Sequence, residues 1–187
     1  MDLSRTPLRS NVELKARIDD PLEAQEICRA LGAEDHGEIK QVDTYFTLGR
    51  HRLKLREMSD GQSQLIGYSR PDTPEARKSQ YRMAPVKAAK TVKSLLSRQW
   101  GVKAIVRKTR HLFIWQDRVR IHIDAVQGLG DFLEFEAIVD EENGYDEPAA
   151  RLDVARLQHD FALQPSDLID SSYSNLILAH AATPSGT

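Results

Sequence analysis

Five stretches of the chain alternate polar, mostly charged residues with apolar ones. Every second position reads Asn11, Glu13, Lys15 and Arg17, then Arg52, Lys54 and Arg56, then Lys108 and Arg110, then Arg118, Arg120, His122 and Asp124, and last Glu134 and Glu136. Between them stand Val12, Leu14 and Ala16, Leu53 and Leu55, Val119, Ile121 and Ile123, and Leu133, Phe135 and Ala137. A period of two is the side-chain period of a β-strand, so each row lies on one face of a sheet. A solvated outer face accounts for any one such strand. A strand facing water, however, usually mixes in Thr, Ser and Gln, whereas RLKLR, RVRIHID and FLEFE offer almost only groups that hold phosphate or a metal ion. If the sheet curls into a barrel with its apolar side outward under helices, the charges line a tunnel whose low dielectric strengthens their grip on a polyanion.

The same reading orders the elements. A first strand over 11–19 leads to Asp19 or Asp20, which caps a helix with Pro21 in its first turn and a stop at Gly32. Its apolar stripe is expected at Leu22, Ile27, Ala30 and Leu31. Strands follow over 41–48, 52–58, 64–70 and 79–85, parted by Gly49, a turn at 59–61 and a loop at 71–74. Helical spacing over 86–100, through Val92, Leu95, Leu96 and Trp100, ends at Gly101. Strands over 102–115, 118–125 and 131–139 come next. A helical pattern resumes at Pro148, with Leu152, Leu157, Phe161 and Leu163, and Pro165 opens a last helix through Leu178. Parallel strands would need a helix after each, so the neighbours are antiparallel. The predicted fold class is α+β: a closed eight-stranded antiparallel β-barrel, a tunnel with a charged interior and helices packed outside.

Composition narrows the function. The 187 residues suit one domain, expected over 10–181, with a flexible N-terminus at 1–9 and a disordered tail at 182–187. A formal charge of −2 and a sequence pI near 6.3 argue against nucleic acid as a partner. There is no apolar run for a signal peptide or a membrane span, so no membrane partner is expected and the location is expected to be cytoplasmic. Cys28 is the only cysteine and falls on the buried side of the first helix, a core position.

The acidic and basic residues complement each other. Glu134 and Glu136 project the same way from one strand, Glu13 faces inward from another, and Asp124 precedes the turn into the Glu134 strand, so four oxygen donors can converge on a divalent ion. Oxygen ligands without thiolate favour Mg2+ or Mn2+ over zinc. Ion pairing with a neighbouring Arg is the alternative for each carboxylate alone. Lys15, Lys54, Arg56, Arg70, Lys108 and Arg110 supply three or more basic walls, which suits a triphosphate with about four negative charges. Arg52, Arg118 and Arg120 share the alternation but fall near the mouths. His122, between Arg120 and Asp124, reads as a histidine held by a carboxylate, with proton shuttling open.

Three blocks in order, NVELKARI, QVDTYF followed by RLKLRE, and RIHIDAVQGLGDFLEFEAIV, resemble the CYTH family, the triphosphate tunnel metalloenzymes. The late LIDSSYSNLIL is similar to class IV adenylyl cyclase-like members, and the likeness runs from Asn11 to Leu178. The resemblance implies a tunnel in which Glu13, Glu134 and Glu136 ligate metal, with Asp124 as a further ligand or water holder. It implies that Lys15, Lys54, Arg56, Arg70, Lys108 and Arg110 hold the phosphates. Catalysis is expected of Glu13, Lys15, Glu134 and Glu136. Asn11 departs from the pattern: it stands where the family's ExExK signature has its first Glu, which bears on a second metal site. The implied partner is a triphosphate-bearing small molecule, and a homodimer is open. The reaction expected first is class IV cyclisation of ATP to cyclic AMP and pyrophosphate. Hydrolysis of inorganic triphosphate, thiamine triphosphate or a nucleoside triphosphate is the alternative, and a non-catalytic module that binds polyphosphate or a nucleotide is the second.

Overall fold

A computed structural model of the protein describes residues 6–48 and 51–182. Gly49 and the ends at 1–5 and 183–187, where much of the expected flexible N-terminus and tail fall, lie outside the described residues. The strands are β1 (Arg9–Ile18), β2 (Glu34–Leu48), β3 (His51–Met58), β4 (Ser63–Ser69), β5 (Arg77–Pro85), β6 (Val102–Trp115), β7 (Val119–Val126) and β8 (Gly130–Ile138). They close a barrel in the order β1-β5-β4-β3-β2-β6-β7-β8, every pair antiparallel. The helices are α1 (Pro21–Ala30), α2 (Ala89–Trp100), α3 (Glu147–Asp160) and α4 (Tyr173–Ala182).

The barrel is built as the alternation predicts. Val12, Leu14, Ile121, Leu133 and Phe135 point outward and are fully covered by Ala24 and Cys28 of α1 and by Ala150, Val154 and Leu157 of α3. Each such Leu or Phe taken from water contributes about 1.5–3 kcal/mol. On the opposite flank Phe46, Leu53, Leu55 and Leu65 pack under Ala89, Val92 and Leu96 of α2. A third cluster closes one end of the tunnel, where Tyr173 of α4 meets Tyr45, Val106, Val126 and Phe132. Burial pushes the Cys28 thiol up to about 12, so it stays protonated in the core. No helix among the described residues is long and apolar enough to cross a membrane.

Local chemistry explains where the elements begin, and where expectation and structure differ. Asp20 caps α1, its side chain accepting from the backbone N–H of Leu22 and Glu23. The buried stripe of α1 runs through Ala24 and Cys28, with Ile27 and Leu31 partly buried, and Leu22 is exposed. Leu152 and Leu95 likewise face out, since α3 and α2 turn other residues to the barrel. β2 begins at Glu34, well before the expected 41, because Gly37 at φ 74° absorbs an irregularity that lets both parts pair with β6. Val86 donates its N–H to Ser63 and stays extended, which delays α2 to Ala89. Pro165 opens only a 3-10 turn, Pro165–Asp167, not the last helix. Leu168 then bridges Ala16, and the N–H of Ile169 bonds the Lys15 carbonyl at 2.8 Å, an extended pairing that an α-helix cannot make.

Candidate active site in the tunnel

The acidic row is set by register. Glu13 of β1 lies opposite Glu136 of β8, and Lys15 lies opposite Glu134. Glu134 Oε1 is 3.9 Å from Lys15 Nζ, and its Oε2 accepts from Arg110 Nη2 at 3.0 Å. Burial opposes the charge on Glu134, but Lys15, His122 and Arg110 override it and hold the carboxyl well below its usual range. Burial lowers Lys15 to about 8 against the pull of Glu134. Asn11 Nδ2 donates to Glu136 Oε1 at 2.7 Å, whereas Asn11 Oδ1 is buried with no partner. Arg120 reaches the other Glu136 oxygen at 3.3 Å from the mouth.

Two adjoining walls, joined where β2 pairs with β6, repeat one device. On β3, Lys54 and Arg56 grip Asp43 of β2, with Lys54 Nζ at 2.9 Å and the Arg56 guanidinium bidentate at 2.8 Å. On β6, Lys108 and Arg110 grip Asp124 of β7, at 2.7 Å from Lys108 and 2.6 Å through both Arg110 nitrogens. Bidentate guanidinium–carboxylate pairs are among the strongest hydrogen bonds in proteins. The second clamp is the drier: the side chains of Lys108 and Arg110 are 2% and 9% exposed, those of Lys54 and Arg56 15% and 13%. Burial and the adjacent Arg110 therefore push Lys108 down to about 7 despite Asp124. Asp124 also accepts from the Tyr173 hydroxyl at 2.9 Å, so both of its oxygens are engaged.

The remaining expected residues fall in two places. Arg70, just past β4, donates to Glu13 Oε1 and is nearly buried. His122 is buried, and burial and Arg110 lower its pKa against the pull of Glu134, whose carboxylate lies 3.9 Å from its Nδ1. Arg118 points away from the tunnel to Asp153 of α3, and Arg52 pairs with Asp72 at a mouth. Sequence reading passed over Asp43, Arg77, Tyr45, Tyr68 and Tyr173. Asp43 and Tyr45 belong to a period-two row in QVDTYF and were open to the same argument. Arg77 is 2% exposed; it donates to Glu13 and to the carbonyls of Thr73 and Ile169, tying the acidic row to the approach to α4. Tyr173 places its ring 3.7 Å from Lys15 Nζ and 5.0 Å from Lys108 Nζ. No alternation marks a tyrosine on a helix as facing a barrel interior.

Among the described residues, no three His, Cys, Asp or Glu side chains are gathered into a ready metal cage. The carboxylates are instead turned onto neighbouring cations. Their chemistry nonetheless fits a hard divalent ion: Glu13, Glu134 and Glu136 come from adjacent strands, and the orphaned Asn11 Oδ1 beside Glu136 is a buried oxygen donor without a hydrogen bond.

The family model of the CYTH domain matches residues 9–161. Solved structures with the same fold include the PH1012 protein from Pyrococcus horikoshii OT3, at TM-score 0.79 and 21% identity over 89% of this chain and 98% of that one. A candidate adenylate cyclase from Vibrio parahaemolyticus aligns at TM-score 0.71 and 23% identity over 90% and 97%. The candidate adenylyl cyclase of Hippeastrum, which has a dominant triphosphatase activity, aligns at TM-score 0.63 and 15% identity over 93% and 98%. No curated protein matches.

Proposed function

The chain belongs to the CYTH domain family, and from that premise we propose that it is a divalent-metal-dependent enzyme that turns over a triphosphate in its tunnel, as a class IV-type adenylyl cyclase making cyclic AMP and pyrophosphate from ATP. One observation carries the reading: inside the barrel, the Glu13, Glu134 and Glu136 row shares a dry space with the two Lys-x-Arg clamps. Glu13, Glu134 and Glu136, with the Asn11 amide oxygen, would hold Mg2+ or Mn2+. Asp124 would join them only by releasing Lys108, Arg110 or Tyr173. The ion supplies charge neutralisation at the phosphates and a lowered pKa for the attacking oxygen.

The chain's own groups do the rest. Lys15, Lys54, Arg56, Arg70, Lys108 and Arg110 bind the phosphate oxygens; as Lys15 and Arg70 turn to the polyanion they release Glu134 and Glu13, while Asp43 and Asp124 stay with their clamps. In cyclisation the ribose 3′-oxygen attacks the α-phosphorus, and the basic walls stabilise the charge on departing pyrophosphate. In hydrolysis water attacks the terminal phosphorus in the same cradle. The Hippeastrum protein's dominant triphosphatase activity on this fold favours keeping that second reaction beside the first.

Purified protein with Mg2+ or Mn2+ is to be incubated with ATP and with inorganic triphosphate, and cyclic AMP, pyrophosphate and phosphate resolved. Cyclic AMP with pyrophosphate supports the cyclase; phosphate alone selects the hydrolase. Binding without turnover would leave a binding module. Calorimetric Mn2+ titration of the protein and its Asn11→Glu variant then reads whether the amide has weakened a metal site.

A further inference from the structure

We propose that the outer flank formed by α2 and the first half of β6 is a docking surface for an anionic membrane, whichever reaction the tunnel performs. The formal charge of −2 hides a strong segregation: no Asp or Glu stands between Glu75 and Asp117, whereas eleven Lys and Arg do. Of these, Arg77, Lys108 and Arg110 serve the tunnel, and Lys78 and Lys93 pair with Glu147 and Glu57. Lys87, Lys90, Arg98 and Arg107 are exposed and, among the described residues, pair with no carboxylate. A run of like charge is by itself only a solvated face.

Exposed apolar surface within the run sets this face apart. Leu95, Trp100, Val102 and Ile105 are 39–61% exposed, and they are four of the eight large apolar side chains exposed among the described residues. Gly101, at φ 73°, turns the chain from α2 directly into β6, so Trp100 and Val102 flank one corner. Ile105 and Arg107 follow on the outer face of β6, opposite Thr44 and Val42 of β2. α2 packs on β2 and β3, so Thr44 is buried while Ile105, one strand farther out, is uncovered. Past Ile105 the same face opens into a shallow groove of about 440 Å3 walled by Lys40, Arg107, Thr109 and Gln127, with Asp131 its single carboxylate. Aliphatic and indole side chains interspersed with unpaired cations match an anionic bilayer: the cations meet lipid headgroups, Trp sits at their level, and Leu, Val and Ile dip into the acyl boundary. Nucleic acid is held by stacked rings, of which this patch offers one, and has no use for exposed aliphatics. Contact of this kind needs no membrane-spanning helix.

The test is sedimentation of the full chain with vesicles of equal parts phosphatidylserine and phosphatidylcholine, and with vesicles of phosphatidylcholine alone, read together with tryptophan emission. Trp115 is buried, so a shift on binding reports Trp100. Binding to the anionic vesicles is expected to exceed binding to the neutral ones by about tenfold or more, to weaken with salt and to move the emission to the blue. Lys90→Gln, Arg98→Gln and Arg107→Gln together are expected to cost about fivefold per cation, about a hundredfold in all, with melting temperature unchanged. Leu95→Ser with Ile105→Thr is expected to weaken binding at equal charge. No preference for the anionic vesicles, or a triple variant that binds as the native protein does, would overturn the proposal. Binding with no blue shift and no loss in the Leu95 and Ile105 variant would reduce the surface to a charge contact and overturn the bilayer reading. A single-stranded RNA that binds more tightly than the vesicles and displaces them would overturn it in favour of nucleic acid.

Discussion

The tunnel's carboxylates fall into two groups that sequence alone does not separate. Asp43 and Asp124 are each seized by a Lys-x-Arg pair, with bonds at 2.6–2.9 Å to both oxygens. Glu13, Glu134 and Glu136 sit along one seam and are more open to water; Glu134 and Glu136 meet their cations at 3.0–3.9 Å, with an unpartnered amide oxygen beside them, while Glu13 is held through Oε1 by Arg70 and Arg77. In an ionic interior, an acid whose oxygens are saturated serves as scaffold, and one held loosely is free for chemistry.

Substitutions can break this contrast. The largest expected effect is on turnover: Glu136→Ala is expected to cut metal-dependent product release about a thousandfold with little loss of melting temperature, and Glu13→Ala to cut it as far but with a loss of stability as well, because it strands Arg70 and Arg77. Comparable loss of fold and activity in Glu136→Ala would erase the distinction between the groups. Next, Asp124→Asn is expected to cost about 3–5 kcal/mol of stability in denaturant titration, because it strands two buried cations. Asp43→Asn should cost less, since Lys54 and Arg56 reach water more readily.

How these positions were legible follows from the same contrast. The alternation in ELK, RLKLR and FLEFE dictated the strands, the inside-out barrel and the inward direction of Glu13, Lys54, Arg56, Glu134 and Glu136, because strand periodicity is local. Whether an inward carboxylate is clamped depends on register between strands distant in sequence. Asp43 opposite Arg56 is an instance, and so is Asp124 opposite Arg110. Tyr173 reaches Asp124 only because α4 folds back over the end of the barrel, which no periodicity records.

Smaller effects sharpen the picture of the drier clamp. Lys108 at about 7 and Lys15 at about 8 are charged at low pH and neutral at high pH, so polyphosphate binding must take up protons as pH rises past these values. Affinity is expected to fall by up to about tenfold per pH unit for each group above its free value. Titrations in buffers of different ionisation enthalpy read that uptake; pH-independent binding would show that neither lysine meets the phosphate. Tyr173→Phe, which removes one hydroxyl from Asp124, is expected to cost about 1.5–3 kcal/mol in the same denaturant assay. Arg118→Ala, which removes an ion pair on the outer surface, should change stability by less than about 1 kcal/mol and leave turnover unaltered.

β1 is hydrogen-bonded on one side to β5 and on the other to β8. A chain emerging from the ribosome N-terminus first therefore holds its opening strand in waiting until residues 131–138 have been made. Until that last seam zips, the lysines, arginines and acids stay hydrated, so the cost of stripping their water falls on one late, non-local event, the kind that makes folding slow.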